Sequence, residues 1–365
     1  ATVSDPVSGD QTWEKVVSKN LGLDLNMFNN RLSLTTDFYI RDTKGILGKG
    51  KSLPSIYGAS EPQMNANNLR TKGYELVLGW RDSFKLAGST FSYGITGTFS
   101  DYTAEYTKCD NPTGLIGDPY VGKKYGEIWG YKVDGLFRND KEAAEYASRI
   151  DLSTVASGYY TATGAYGKGV RGGDIKYLDL NGDNIVNGGK GTLDDPGDRR
   201  VIGNSSPRYQ YGASLNFSWY GFDVSVFMQG IGRLDWYPGA DNLRFWGPYC
   251  RPYATFVPKN FMSQVWSEEN PDAYFPRARA YTSLNSNSGT AYYTNDRYLQ
   301  NLAYCRLKNL TIGYTIPRRL TSKVGIKECR IYFSGENLAT WSALKSDFLD
   351  PEQAAADSDK KANVY

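Results

Sequence analysis

Residues 20–40, "NLGLDLNMFNNRLSLTTDFYI", carry the pattern that decides the fold. Leu21, Leu23, Leu25 and Met27 alternate with Gly22, Asp24 and Asn26, so an extended chain here has one apolar and one polar face. Beyond Asn29-Asn30, Leu32, Leu34, Phe38 and Ile40 lie opposite Ser33, Thr35 and Asp37. Two alternating runs joined by Asn-Asn predict a tight hairpin, because Asn tolerates the left-handed backbone that such turns need.

The unit recurs downstream. "GYELVLGWR" (73–81) precedes "FSYGITGTFS" (91–100), "RYQYGASLNFSW" (208–219) precedes "FDVSVFMQG" (222–230), and "RLKNLTIGYTI" (306–316) precedes "CRIYFSGEN" (329–337). Eight long strands in four hairpins are expected, short within each hairpin, with long loops near 42–68, 103–207, 232–299 and from 339 onward. Short turns at one end and long loops at the other are the layout of an outer-membrane barrel. A soluble barrel or sandwich is the alternative, but loops beyond about 15 residues are uncommon in compact domains. Phe28, Trp80, Trp219 and Tyr314 at strand ends suit interfacial aromatic girdles. The opposite faces carry Asp24, Asp37, Glu75, Asp223, Gln229, Asn309 and Glu336, which suit a wet or plugged lumen better than a packed core.

Composition narrows the function. Among 365 residues there are 29 Tyr, 15 Phe, 8 Trp and 39 Gly, a balance that favours strands and turns. Net charge is +3 with interspersed signs, which leaves no footprint for nucleic acid. Histidine is absent, which excludes His-dependent nucleophilic catalysis and His-ligated zinc. Cys109, Cys250, Cys305 and Cys329 lack C-x-x-C spacing, so a zinc or iron–sulfur site is not expected. Cys305 and Cys329 fall on expected strands, as small buried residues. There is no phosphate-binding glycine loop and no nucleophile elbow, and adjacent Asp194 and Asp195 fix no glycosidase geometry, so no enzyme is expected. No run reaches 18 apolar residues, which excludes a spanning helix but not a barrel, whose strands need about 9–11 residues. Mean hydropathy of −0.52 fits long hydrophilic loops.

Within the loops, residues 139–150 read as a short helix capped by Asn139 or Asp140, and residues 257–271 as another ending before Pro271. In "GGDIKYLDLNGDNIVN" (172–187), Asp179, Asn181, Asp183, the Ile185 carbonyl and Asn187 match calcium-loop positions 1, 3, 5, 7 and 9. Asn184 at position 6 tolerates a left-handed backbone, but Lys190 stands where position 12 needs Glu. Asp194, Asp195 or Asp198 would have to supply the missing carboxylate of a structural calcium site; the alternative is an Asx-rich turn without metal. Trp236, Tyr237, Phe245, Trp246, Tyr249 and Tyr253, interleaved with Asn242, Arg244 and Arg251, suit a glycan or peptide surface, or else loop packing.

In order along the chain, "NLGLDLNMFNNRLSLTTDFYIRDTKGIL", "NNLRTKGYELVLGW", "GEIWGYKVDGLF", "GDIKYLDLNGDNIVN" and "LKNLTIGYTIP" resemble SusC/RagA-type TonB-dependent outer-membrane transporters. The resemblance implies an all-β fold: part of a large antiparallel transmembrane barrel of the 22-stranded type with long extracellular loops. Residues 1–365 would be its C-terminal portion, about eight strands, with the plug and the final strand not present. Strand parity then places "YGEIWGYKVDGLF" in an outer loop, or pairs it with another strand there. The resemblance also implies a SusD-like surface lipoprotein as lid, the TonB complex acting through the N-terminal part, contact with outer-membrane lipid, and oligosaccharide or peptide import. Its location would be the outer membrane of a Gram-negative bacterium of the Bacteroidetes type. The competing expectations are a soluble or surface β-rich glycan-binding protein without transport, or an adhesin barrel.

Overall fold

A computed structural model of the chain describes residues 9, 11–49, 56, 62–161, 169–250, 257, 259–279, 283–284, 289–346 and 349–354. The strands, in chain order, are β1 (Lys15–Met27), β2 (Leu32–Lys49), β3 (Gln63–Leu86), β4 (Ser89–Lys108), β5 (Glu127–Gly130), β6 (Val133–Leu136), β7 (Ile175–Tyr177) and β8 (Arg200–Asn204). They continue with β9 (Arg208–Trp219), β10 (Phe222–Arg233), β11 (Asp235–Trp236), β12 (Gln300–Asn301), β13 (Tyr304–Thr315) and β14 (Arg330–Ser342).

Eight of them form one sheet in the order β1-β2-β3-β4-β9-β10-β13-β14, every neighbouring pair antiparallel. These are the strands of the four hairpins expected from alternation. They run longer than the alternation reaches: β3 has 24 residues and β4 has 20, so the β2–β3 connection shrinks to residues 50–62. The apolar pattern ends where the surroundings of the strand change, while the hydrogen-bonded ladder continues through Asp42–Arg70 and beyond.

The turns follow from left-handed residues. Phe28, Asn29 and Asn30 have φ of 55°, 56° and 63°, and Ala87-Gly88 and Tyr220-Gly221 are left-handed pairs of the two-residue hairpin type. At Gly221 a Cβ would sit 2.6 Å from the Thr315 carbonyl oxygen, so the close approach requires glycine as much as the φ of 83° does. The fourth connection departs from the expected short turn. Residues 316–329 form a helical turn at Arg318–Thr321, which begins after Pro317 fixes its backbone.

The sheet is not where the molecule buries its apolar side chains. β1 is exposed along its whole length, and Leu21 and Phe333 are 74% and 57% exposed. The core lies instead in the two long excursions, residues 109–207 and 234–303, with Phe137, Val155, Tyr177, Trp246 and Tyr298 fully enclosed. Three small ladders, β5–β8, β6–β7 and β11–β12, brace it. "YGEIWGYKVDGLF" therefore pairs within the loops, as one of its two expectations had it.

Helix α1 (Asp140–Ala147) starts at Asn139, whose side chain accepts from the Glu142 amide, as its cap pattern predicts. Two shorter helical turns are α2 (Ser157–Thr161) and α3 (Leu243–Trp246). The helix expected over 257–271 is absent from the described residues there: only a 3-10 turn at Met262–Gln264 forms. Val265 bridges Phe275 instead, and Phe261, Val265 and Trp266 serve the loop core rather than one helical stripe. None of the four cysteines is in a disulfide; Cys305 and Cys329 are half-buried rather than buried, and Cys329 falls just before β14 rather than on it.

Candidate functional site

Opposed residues in an antiparallel ladder share a face, so the register assigns every wall residue. One row runs Leu25, Leu34, Leu78, Gly97, Ala213, Met228 and Leu307. A second, nearer the tight turns, runs Trp80, Ile95, Leu215, Val226 and Leu310. This apolar face is bounded at the short-turn end by aromatic rings. Phe28 meets Trp80 at 6.2 Å, Phe84 meets Phe91 at 5.3 Å, Phe91 meets Phe217 at 6.3 Å, and Phe222 meets Tyr314 at 4.6 Å. Trp80 Nε1 donates to the Tyr93 hydroxyl at 3.0 Å, and Trp219 Nε1 to the Leu86 carbonyl at 3.3 Å, so polar tips find partners while the ring bodies stay apolar.

At the other end a second aromatic chain crosses the sheet: Phe38–Tyr74 at 6.3 Å, Tyr74–Phe99 at 6.0 Å and Phe99–Tyr209 at 6.5 Å. Just beyond it, ion pairs join neighbouring strands on this face: Arg70–Asp42 at 2.7 Å and Arg208–Asp101 at 2.5 Å. The two aromatic rows are about 8–10 residues apart along a strand, which for strands tilted about 40° is roughly 20–25 Å.

The opposite face is polar. One row reads Asn26, Ser33, Gly79, Thr96, Ser214, Phe227, Asn309 and Glu336, and the next reads Asp24, Thr35, Val77, Thr98, Gly212, Gln229, Arg306 and Thr340. All seven polar residues singled out from the sequence, Asp24, Asp37, Glu75, Asp223, Gln229, Asn309 and Glu336, lie on it. Thr35 donates to Asp24 at 2.7 Å, and Arg330 pairs with Asp223. A groove of about 910 Å³ lies along the short-turn end, lined by Arg81, Ser92, Asn216 and Asp223 among others.

The aromatic loop cluster sits differently from its expectation as an open binding surface. Phe245, Trp246 and Tyr249 are buried, 2%, 0% and 2% exposed; Phe245 meets Trp246 and Phe275 edge-on, Trp246 meets Tyr298 edge-on, and Tyr249 stacks on Phe275. Asn242 is buried too, and its side chain accepts from the Phe245 amide at 2.9 Å to start α3. Tyr237, half-buried, donates to the Tyr293 carbonyl at 3.0 Å and accepts from Asn295 at 3.1 Å; Trp236 is half-buried in β11. Arg244 is exposed, and Arg251 and Tyr253 lie outside the described residues. Alternating ring and amide residues read the same whether they face a ligand or one another. Here they pack within the loop, the other of the two expectations.

The calcium-like loop is built as Asx turns. Asp179 accepts from the Gly182 and Asn184 amides at 2.7 and 2.9 Å, Asn181 from Asp183 at 3.0 Å, Asp183 from Ile185 at 2.8 Å, and Asn187 from Gly189 at 2.6 Å. Asn184 adopts φ 64°, as position 6 demands. Asp198, fully buried, accepts from the Leu180, Asn181 and Asn187 amides and closes the loop. Asp194 stays exposed, held low in pKa by the Thr192 hydroxyl and its own amide. Ile185 offers its carbonyl only to Asn187 Nδ2, at 3.5 Å. Among the described residues no three acidic or thiol side chains cluster, so an ion here would depend on the Asn181 and Asn187 side chains and the Ile185 carbonyl as well as on carboxylates.

Two polar constellations escaped sequence reasoning. Asp174 and Arg279 form an enclosed pair at 2.5 Å, with the guanidinium 4.1 Å from the centre of the Tyr159 ring. Burial pushes the Asp174 carboxyl up to about 6 despite Arg279, and its Oδ1 has no partner among the described residues. Arg306 binds Asp350 and Glu352 from the segment after β14. Residues 105 and 44 positions apart in sequence give no local signal of such pairing.

No family model matches the chain. Curated relatives do. TonB-dependent receptor P3 of Formosa agariphila is 25% identical over 96% of the chain, and TonB-dependent receptor P26 of the same organism is 26% identical over 96%. The chain spans only 32% of the length of each. Among solved structures, one of the RagAB peptide transporter aligns with TM-score 0.61 and 20% identity, covering 93% of this chain and 33% of that one. The RagAB peptide importer in its "open-open" state aligns with TM-score 0.62 and 21% identity, over 96% and 33%. The chain is thus similar in sequence to the TonB-dependent receptors and shares its fold with about a third of a RagAB chain, which makes it SusC/RagA-like.

Proposed function

We propose that the eight-stranded sheet is a stretch of the wall of an outer-membrane barrel that imports nutrients by the TonB-dependent route. The apolar face meets lipid, the polar face lines the lumen, the tight turns lie on the periplasmic side, and the loop core stands outside the cell. The observation that carries this reading is the apolar band between two aromatic rows, closed on its outer side by the Arg70–Asp42 and Arg208–Asp101 pairs. A water-soluble sheet with Leu21, Leu78, Ile95 and Ile312 this exposed would present an apolar patch far above ordinary size. The sheet's outer strands, β1 and β14, each pair on one side only, and further strands closing a barrel of the 22-stranded type would satisfy them.

The names of the relatives support a TonB-dependent route, and the like fold of RagAB peptide importers makes peptides one cargo of this reading; oligosaccharides, a SusD-like lipoprotein lid over the outer loops and TonB acting on a plug complete it. The cell location that follows is the outer membrane of a Bacteroidetes-type bacterium. In this role the described residues bind and enclose. Folding the full-length protein into phospholipid vesicles tests the reading. Heat-modifiable migration on a gel and protease cleavage confined to the loops are expected; a protein that stays monodisperse and folded in buffer without lipid or detergent would defeat it.

A further inference from the structure

On the polar face, Arg306 and Lys308 form a basic pair that the chain itself occupies. Arg306 Nη1 donates to Glu352 at 2.6 Å, Nη2 to Asp350 at 2.6 Å, and Nε to Thr340 at 2.9 Å. Lys308 donates to both oxygens of Glu352 at 2.7 Å. Lys308 owes its reach to a bulge. Both ladders of β13 lose register at this residue: Leu307 and Asn309 face Met228 and Phe227 of β10, and Ala339 and Glu336 of β14. Bulges re-aim side chains and are common beside functional sites.

The acidic partner is a short turn. Asp350 accepts the Glu352 amide at 2.9 Å on its side chain and the Ala354 amide at 2.8 Å on its carbonyl. Leu349 and Ala354 seat this hook in the loop core, while its two carboxylates turn to the wall. The partners fit as a planar fork against two carboxylates, an arrangement that would equally hold carboxylates from elsewhere. Elsewhere on the face Asp24, Asp37, Glu75 and Glu336 are acidic, and Asp223 is already paired with Arg330. Arg306 is only 7% exposed, so a ligand reaches it only when the hook leaves.

We propose that Arg306 and Lys308 form a carboxylate-binding site for an acidic peptide in the lumen, held shut by Asp350 and Glu352 until such a ligand displaces them. The site rests on the reading of the polar face as a lumen; the hook itself does not.

The test uses the full-length receptor in detergent, with the peptides Ala-Glu-Glu-Ala and Ala-Gln-Gln-Ala as probes. In Asp350→Asn/Glu352→Gln, affinity for the acidic peptide should rise about tenfold with the neutral one unchanged, because two competing charge-assisted contacts are gone. Lys308→Gln, which leaves Arg306 paired, should weaken the acidic peptide alone. In the wild type, the acidic peptide should speed hydrogen exchange across residues 349–354. Equal affinities in all three proteins, with exchange unaltered, would overturn the proposal and leave the hook a structural clasp. Loss of vesicle insertion would count against the barrel reading instead, and the exchange readout distinguishes the two failures.

Discussion

The wall and the loops use the same residue types in opposite ways. In the wall, Leu21, Leu78 and Ile312 lie open on one face, and no second layer of the described residues covers them. In the loops, Phe137, Trp246 and Tyr298 are fully enclosed, and polar groups are bonded around them. One chain therefore holds a region whose apolar side chains point outward and a region built as an ordinary water-soluble core. On the proposed reading, the wall is stabilised by its ladder and by an apolar solvent, whereas the loops supply their own apolar interior.

The sharpest break of that comparison comes from the loop side. Trp246 is packed against Phe245, Phe275 and Tyr298, and its Nε1 reaches the Gly239 carbonyl at 3.1 Å. Trp246→Ala should cost about 3–5 kcal/mol through the cavity it leaves. Hydrogen exchange should show protection lost across 234–303 while the β3–β4 amides keep theirs. Loss of protection throughout would mean that wall and loops fold as one unit.

A pair of neighbouring wall positions sharpens it next. Leu78 lies on the apolar face and Val77 on the polar one, 47% and 38% exposed. Near a bilayer midplane Leu78→Arg should cost about 2–4 kcal/mol, because the guanidinium has no water there. Val77→Arg should stay within about 0.5 kcal/mol, as for an exposed surface position. Urea titration of folding into vesicles measures both. Equal costs would mean that the two faces meet the same solvent.

The enclosed Asp174 tests the loop core through pH. Desolvation raises its folded-state pKa to about 6, above the unfolded value of 3.8. The folded loops then hold the proton more tightly, so this contribution to stability is fully present below about 3.8 and is lost as pH rises through about 6. Loop protection should fall between those pH values and level off above them. Asp174→Asn should flatten the profile, and an unchanged slope would assign it to another group.

How much of this was legible in the sequence divides along the same line. Alternation at 21–27 and 32–40 exposed the hairpins and their faces, because a period of two is local. The bulge at Lys308 breaks that period, placing Leu307 and Leu310 on one face three residues apart, and the extension of β3 to Gln63 runs beyond it. The loops were legible only in short local pieces, such as the Asn139 cap of α1. Trp236 to Tyr249 looks like a binding surface because composition does not say which way a ring points, and Val265–Phe275 pairing overrode a helical reading of 257–271. The Asp174–Arg279 and Arg306–Glu352 contacts span loops whose path no short motif encodes.

The smallest effect concerns a loop motif that was legible, the stretch from Asp179 to Asn187. If its Asx turns are complete without metal, a chelator or millimolar calcium should leave the loop's exchange pattern and thermal transition unmoved. Asp179→Ala should still cost about 1 kcal/mol, since the Gly182 and Asn184 amides lose the side chain that caps them. Asn184→Ala, at φ 64°, should cost about as much for backbone reasons alone. A calcium-dependent rise in protection that Asp179→Ala abolishes would show that the carboxylates serve an ion as well as the backbone, and that the motif was the better guide.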